Sequence, residues 1–328
     1  MSHTAPSPQS PQLPEDALSP ELLELLTQAR EYLGYGKSAN TQKAYQTDWD
    51  SFTHWCKVHQ LPALPASPTT IILYLTAQVN DGHKINTLTR RIAAISQAHK
   101  SMGHPTPTND SAVRAVMAGI RRTHGIAPQR VTALLTGDIQ RMVNSLPETL
   151  IGKRDRALIL LGFAGAFRRS ELAALNVEDI EEHTEGLSIL LKRSKTDQEG
   201  QGRWVGIPYG KHPETCPVQA LRDWLRASGI VTGAVFRGLK CGGKQASARI
   251  SIRAIATIIK RTAKAAGLED GRYSGHSLRA GHATAAARAG VAERVIMAQT
   301  GHKSEGMVRR YIRAGAMFQE NSASSLGL

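Results

Sequence analysis

The sequence predicts a mainly α-helical protein of two domains, with a small antiparallel sheet confined to the second. Three observations lead there. Apolar residues recur at helical spacing through residues 20–123, with no alternating strand pattern among them. A pair of apolar stretches, 186–193 and 203–208, flanks a polar, Gly-containing loop in the manner of a hairpin. Between the two regions, residues 125–132 are punctuated by Gly and Pro and read as a linker. At 328 residues the chain is long enough for two separate cores.

Residues 1–19 contain Pro6, Pro8, Pro11, Pro14 and several serines, hold too little apolar surface to fold, and are expected to form a disordered tail. A helix is predicted from Pro20-Glu21 to about Gly34-Tyr35-Gly36. Ser38 or Asn40 can cap the next, in which Tyr45, Trp49, Phe52 and Cys56 follow at i, i+4, i+7 and i+11 as one apolar stripe. The prolines from Leu61-Pro62 to Pro68 break it. Helices then fit 69–80 (Ile71, Ile72, Leu75, Val79), 84–101 (Leu88, Ile92, Ile95) and 110–123 (Val113, Val116, Met117, Ile120). Residues 20–124 are therefore read as an all-helical domain. Arg90, Arg91 and Lys100 fall off the apolar stripe of one helix, and Arg121 and Arg122 close another; a charged outer face of this kind suits contact with a polyanion.

The second domain, 133–328, opens on a helical pattern after Thr136. A buried helix then begins at Arg154-Asp155-Arg156-Ala157 and is expected to run through Gly165-Ala166-Phe167 into Arg168-Arg169-Ser170-Glu171. An arginine directly after so apolar a segment is partly buried, and its charge must be offset by a carboxylate or a phosphate. Glu171, three residues on, shares a helical face with Arg168 and can hold it. The predicted hairpin carries Lys195 in its loop. Helices resume at 217–227 and at 247–266. In the latter, Ile252, Ile255 and Ile259 form the buried stripe, while Arg253, Lys260 and Lys264 recur at i, i+7 and i+11 as a basic ridge able to lie in a groove of duplex DNA.

Charge points the same way. The net balance is +14, which favours a polyanionic partner, most often nucleic acid. Residues 1–35 carry one basic residue against five acidic ones, 36–128 ten against four, and 129–328 thirty against eighteen, so both prospective domains are basic. The three cysteines are scattered and form no Cys-x-x-Cys pair, which argues against a disulfide framework or a cysteine zinc site and fits a reducing, cytoplasmic setting. No apolar run reaches spanning length, so no membrane role is expected.

The densest chemistry lies in the last fifty or so residues. His276 and Arg279 stand as His-x-x-Arg, His302 follows Gly301, and Tyr311 comes nine residues later. Together with Arg168-x-x-Glu171 and the hairpin-loop Lys195, this ordered set resembles that of the tyrosine recombinases, the phage integrase family. Trp55-Cys56-Lys57, Arg193-Ser194-Lys195-Thr196, Ser274-Gly275-His276-Ser277 and Tyr311-Ile312-Arg313 add local similarity, over roughly residues 36–328. Two departures stand out. Gly165-Ala166-Phe167 replaces the usual Thr-Gly-Leu before the first arginine. Thr300 stands where a leucine commonly precedes Gly-His, with no chemical consequence expected.

The resemblance implies a C-shaped clamp of a helical core-binding domain and a mixed α/β catalytic domain around duplex DNA with a specific, inverted-repeat site. It implies strand exchange in a homo-tetramer on two such sites, with the C-terminal segment docking into a neighbouring protomer, and it carries Arg253 over as a base-reading contact. The residue types suit phosphodiester chemistry in their own right. Cleavage needs an oxygen nucleophile, charge on the non-bridging oxygens, and a proton for the leaving 5′ oxygen. Tyr311 is the candidate nucleophile. Arg168 and Arg279 can grip the phosphate bidentately, and His302 can donate to the same oxygens. His276 is placed to accept the phenol proton, Lys195 to act as general acid, and Glu171 to brace the arginines. No metal and no cofactor is expected, because guanidiniums and a lysine supply the charge, and no Gly-x-x-x-x-Gly-Lys-Ser/Thr loop is present. His99 and His282 are read as structural. A non-catalytic duplex-binding protein and a type IB topoisomerase-like enzyme are the alternatives; only a recombinase both forms a covalent tyrosyl adduct and pairs two sites.

Overall fold

The computed structural model describes residues 19–36, 38–125, 132–192, 202–239, 245–268, 273–302, 304–306, 308, 309 and 311. The chain divides into two compact units, Met1–Pro128 and Gln129–Leu328. Lys195, residues 1–18 of the predicted tail 1–19, and the C-terminal segment 312–328 lie outside the described residues. Among those described, no helix is long and apolar enough to cross a membrane.

Among its described residues the first unit is all helical: α1 Pro20–Tyr35, α2 Ala39–Val58, α3 Pro68–Asn80, α4 Ile85–Ser101 and α5 Ser111–His124. Side-chain caps start four of them. Ser19 accepts from Leu22 N–H, Ser38 from Thr41 N–H, Ser67 from Thr70 N–H and Asp110 from Ala112 N–H, each satisfying a donor the helix itself leaves unpaired. The expected stripe of α2 is buried at Trp49, Phe52 and Cys56. It meets Ile71, Tyr74 and Leu75 of α3, Leu88 and Ile95 of α4, and Val113, Met117 and Ile120 of α5. Arg91 departs from expectation. It lies inside the stripe of α4, at i+3 from Leu88 and four residues before Ile95, and is only 9% exposed. Its guanidinium sits over the Tyr74 ring at 5.8 Å and 3.7 Å from the buried Asp48, which also takes two hydrogen bonds from Arg90 at 2.6 and 3.0 Å. A buried carboxylate draws both arginines to one side of the helix.

His99 is fully buried, and both ring nitrogens are in use. Nε2 accepts from Ala66 N–H at 2.9 Å, so Nδ1–H donates to Ile95 O at 2.8 Å. Burial lowers its pKa below the ordinary histidine value of 6.5. A base whose folded pKa is depressed contributes stability that is complete above the unfolded pKa and is lost as pH falls. Denaturant midpoints of the whole chain should therefore drop between pH 7.5 and 5. His99→Leu should cost about 1–3 kcal/mol at pH 7.5, because it strands the Ala66 N–H. That deficit should narrow at pH 5; a deficit constant with pH would show that His99 does not titrate on unfolding.

In the second unit α6 (Thr136–Asn144), α7 (Leu150–Ala164) and α8 (Arg169–Ala174) precede a sheet of β1 (Ile180–His183), β2 (Gly186–Leu191) and β3 (Arg203–Pro208), ordered β1-β2-β3 and antiparallel throughout. Then follow α9 (Pro217–Ser228), the β4–β5 pair (Arg237–Leu239, Gln245–Arg249), α10 (Ile252–Ala265), α11 (Ser277–Arg288) and α12 (Glu293–Thr300). The inner face of the sheet, Leu187, Ile189, Leu191, Val205 and Ile207, packs into a core with Leu158, Leu161, Leu221, Trp224, Ile255 and Ile259. Asp155 of α7 is fully buried and neutralised by Arg154 on its own helix and by Arg261 of α10.

Three local expectations change. Residues 245–249 form a strand rather than the start of a helix, because they pair with β4; Ser251 then caps α10. Ile252, first in α10, is 44% exposed, and the buried stripe is Ile255, Ile258, Ile259 and Ala263. The helix over 154–172 is not continuous. It ends at Gly165, Ala166 turns through φ +50, and α8 starts anew after Arg168.

Candidate active site

The break after α7 is what positions the first arginine. Arg168 is the residue ahead of α8, in extended backbone, and Glu171 holds it twice. Its backbone N–H donates to Glu171 Oε2 at 2.8 Å and its Nη1 to Oε1 at 2.6 Å. Glu171 is 3% exposed, so a buried carboxylate spends one oxygen on the backbone and the other on the guanidinium. The pairing expected from the i,i+3 spacing is present, and the same carboxylate also caps the helix that the arginine introduces.

Arg279 arrives from α11. Its helix is seated by a reciprocal turn: Ser274 N–H donates to Ser277 Oγ at 2.9 Å, and His276 N–H to Ser274 Oγ at 3.2 Å. Gly275 leaves no room for a Cβ against the Arg169 side chain, and Gly281 none against the Leu134 carbonyl. The first contact sets the His276–Arg279 segment against the start of α8, and the second sets α11 against Leu134, ahead of α6. Arg279 is 3% exposed and Nη1 donates to Ala166 O at 2.8 Å, while the buried Nη2 has no partner among the described residues. Burial first, and then the charge of Arg168, brings its pKa down to about 10. It remains charged at neutral pH, in a place that wants an anion. His276 is the exposed residue at the head of α11, three residues before Arg279.

His302 and Tyr311 come from the far side of α12. That helix ends at Gly301 in the left-handed conformation, φ +63, and His302 follows at 9% exposure. Its Nδ1 lies 2.7 Å from Thr300 Oγ1. Burial, Arg279, Arg168 and Arg203 together push its pKa down to about 4, so the ring is neutral in the protein alone. The Tyr311 ring stands 6.0 Å from it, tilted by 32°, and rests on Ala283, Ala287, Ile296 and Val308. Arg168, Glu171, Arg279, His302 and Tyr311 are thus within electrostatic reach of one another.

Arg203, not among the expected site residues, belongs to the same cluster. It is the first residue of β3, paired with Leu191, and by alternation shares the inner face with Val205 and Ile207. A cation at an inward position is the signal that was available. Nη1 donates to the Ala298 and Gln299 carbonyls at 3.3 and 3.1 Å, at the C-terminal, electronegative end of α12. Nε and Nη2 are buried without a partner among the described residues. A Cβ on Gly301 would stand 2.7 Å from Nε. Gln299 adds two ties, to Ala164 O at 3.0 Å and Gly206 O at 3.1 Å. The turn carrying His302 is therefore fixed to β3 and to the end of α7. Arg203→Met should loosen it, lowering single-turnover DNA cleavage by up to about 100-fold, the scale expected of a misplaced catalytic group, with duplex affinity in gel shifts unchanged. Equal loss in both assays would make Arg203 a binding contact instead.

Of the basic residues singled out for DNA, Arg121 and Arg122 are exposed in the last turn of α5, and Arg253 and Lys260 are exposed along α10. The Arg90 side chain is 48% exposed.

Residues 133–316 match the family model described as the phage integrase family. The chain is 40% identical over 306 residues to an integrase/recombinase xerD homolog of Selenomonas ruminantium, covering 92% of this chain and 89% of the relative. It is 29% identical over 327 residues to the recombinase cre of Escherichia phage P1, covering 92% of each. Among solved structures, the fold resembles that of the XerH site-specific recombinase bound to palindromic difH substrate in a post-cleavage complex. That match has a TM-score of 0.64 at 17% identity and covers 94% of this chain and 85% of that one.

Proposed function

Because the chain belongs to the phage integrase family of tyrosine recombinases, we propose that it is a site-specific DNA recombinase that cuts and rejoins duplex DNA through a 3′-phosphotyrosine. The observation that carries this reading is the meeting of Arg168, Arg279 and the His302 turn beside Tyr311, with an Arg279 Nη2 that has no partner among the described residues. Tyr311 Oη attacks the phosphorus, the bond to the 5′ oxygen breaks, and the leaving oxygen takes a proton from Lys195 while His276 receives the phenol proton. Arg168 and Arg279 bind the non-bridging oxygens, where charge grows in the transition state, and Glu171 keeps Arg168 aimed. The phosphotyrosyl bond retains the energy of the one it replaces, so the reverse attack by a 5′ hydroxyl reseals the strand without a cofactor or metal.

Arg121 and Arg122 from the helical domain, residues 20–124, and Arg253 and Lys260 from the catalytic domain, residues 133–328, then serve as duplex contacts, with Arg90 a further candidate. Arg91, packed on Tyr74, acts through its own helix rather than as an outward contact. Full exchange takes place in a homo-tetramer on two inverted-repeat sites in the cytoplasm. The test is to select bound duplexes from a random pool, place a nick beside the scissile phosphate of the winner, and look for a denaturant-resistant protein–DNA adduct. An adduct at the DNA 3′ end is expected; binding without one would leave a duplex-binding protein. Adducts of equal yield on arbitrary sequence would indicate a topoisomerase-like enzyme.

A further inference from the structure

Thr300, two residues before His302, makes a contact that alters what His302 can do. A threonine hydroxyl has one hydrogen. Thr300 Oγ1 lies 2.7 Å from the Ile296 carbonyl, one turn back along α12, and 2.7 Å from His302 Nδ1. A carbonyl oxygen can only accept, and two oxygens at that separation with no hydrogen between them repel each other. The hydroxyl therefore donates to Ile296 O, and its lone pair accepts from Nδ1. Nδ1 must carry the hydrogen, which leaves Nε2 of the neutral ring bare.

We propose that Thr300 is a positioning residue that holds His302 in the Nδ1–H tautomer, so that the ring can donate to a DNA phosphate oxygen only after Nε2 takes up a proton. This rests on the reading of the site as a phosphodiester-cleaving centre. The groups facing the ring are Arg279 of α11, Arg168 ahead of α8 with Glu171 behind it, Arg203 of β3, and Tyr311. In the protein alone three guanidiniums and burial keep the ring neutral. A phosphodiester brings a negative charge among them, offsets part of that positive field and offers Nε2–H an acceptor, so DNA engagement and protonation of His302 come together. An aliphatic residue at 300 offers Nδ1 no acceptor, which frees the ring to present Nε2–H while neutral. The thermodynamic consequence is a proton requirement that a leucine-bearing site does not have.

Two measurements test this on the full chain. Imidazole nitrogen NMR of histidine-labelled protein without DNA reads the tautomer directly, with the His302 signal identified by its loss in His302→Gln. An Nδ1–H ring is expected in wild type, an Nε2–H ring in Thr300→Val, and a return to wild type in Thr300→Ser. Single-turnover cleavage of the nicked duplex is then followed against pH for the same proteins. The ratio of Thr300→Val to wild-type rate removes the ionisations of Tyr311 and Lys195 common to both. It should rise about tenfold per pH unit above the pKa of DNA-bound His302, as expected when one protein must bind a proton and the other need not; Thr300→Ser should show no such rise. An Nε2–H ring in wild type overturns the proposal, as does a ratio flat in pH. If no protein forms an adduct, the function reading fails, and the NMR result still decides the tautomer.

Discussion

Exchanging Tyr311 for phenylalanine is expected to leave a folded protein that binds duplex DNA as before and forms no covalent adduct above background. Tyr311 packs against the apolar cluster of Ala283, Ala287, Ile296 and Val308, and phenylalanine keeps the apolar ring for that packing. The hydroxyl oxygen is the only atom removed, so a lost adduct cannot be assigned to a lost fold. No partial activity is expected, because a general acid or a phosphate clamp can be weakened by degrees but a bond to phosphorus needs an atom to form it. The measurement is the adduct band on a nicked duplex under denaturing conditions, beside a gel shift on the intact site. A residual adduct in the variant would mean that another side chain attacks, and the role given to Tyr311 would then fall.

Where apolar residues repeat on one helical face, the fold could be read from the sequence, because burial of that face is what makes the helix. The stripe of α2 at Trp49, Phe52 and Cys56 is the plainest case. The same logic misplaced Arg91, since counting charged residues as outer overlooked its i+3 spacing from Leu88 and the buried Asp48 that compensates it. Breaks driven by backbone conformation were harder to see. The positive φ falls on Ala166, at +50, and not on Gly165 beside it, so the segment before Arg168 read as unbroken helix. Strand β1 carries a single half-buried apolar residue, Ile180, and only its pairing with β2 makes it a strand. At the site, the residue types and their order were visible, but the contacts that tune them were not. Arg203 required its strand face to be tracked, and Thr300 required knowing that helix α12 turns its hydroxyl back onto Ile296 and leaves a lone pair for His302.

Replacing Arg279 with methionine should cut cleavage by about 10²–10³-fold, the cost of removing one preorganised donor from an oxyanion, and yet raise the stability of the DNA-free protein. The two effects have one origin. Arg279 is buried beside Arg168 and Arg203, and its pKa falls from the ordinary arginine value to about 10 for that reason. A fall of that size means the charged side chain costs the folded state on the order of 3 kcal/mol at neutral pH. The sign follows directly: a cation whose folded pKa is depressed destabilises the fold at every pH below that pKa, so the penalty is fully present at pH 7. Methionine removes the charge and keeps much of the apolar stem. Against this stands the hydrogen bond to Ala166 O at 2.8 Å, worth about 1.5–3 kcal/mol because its donor is charged. The balance favours the variant by up to about 1.5 kcal/mol, which would appear as a higher thermal midpoint of the whole chain without DNA. Saturating duplex should then stabilise wild type more than the variant, because only wild type gains a phosphate for its stranded Nη2. A methionine variant that melts below wild type would show that Arg279 is paired in the resting protein, and that the site is not held short of an anion.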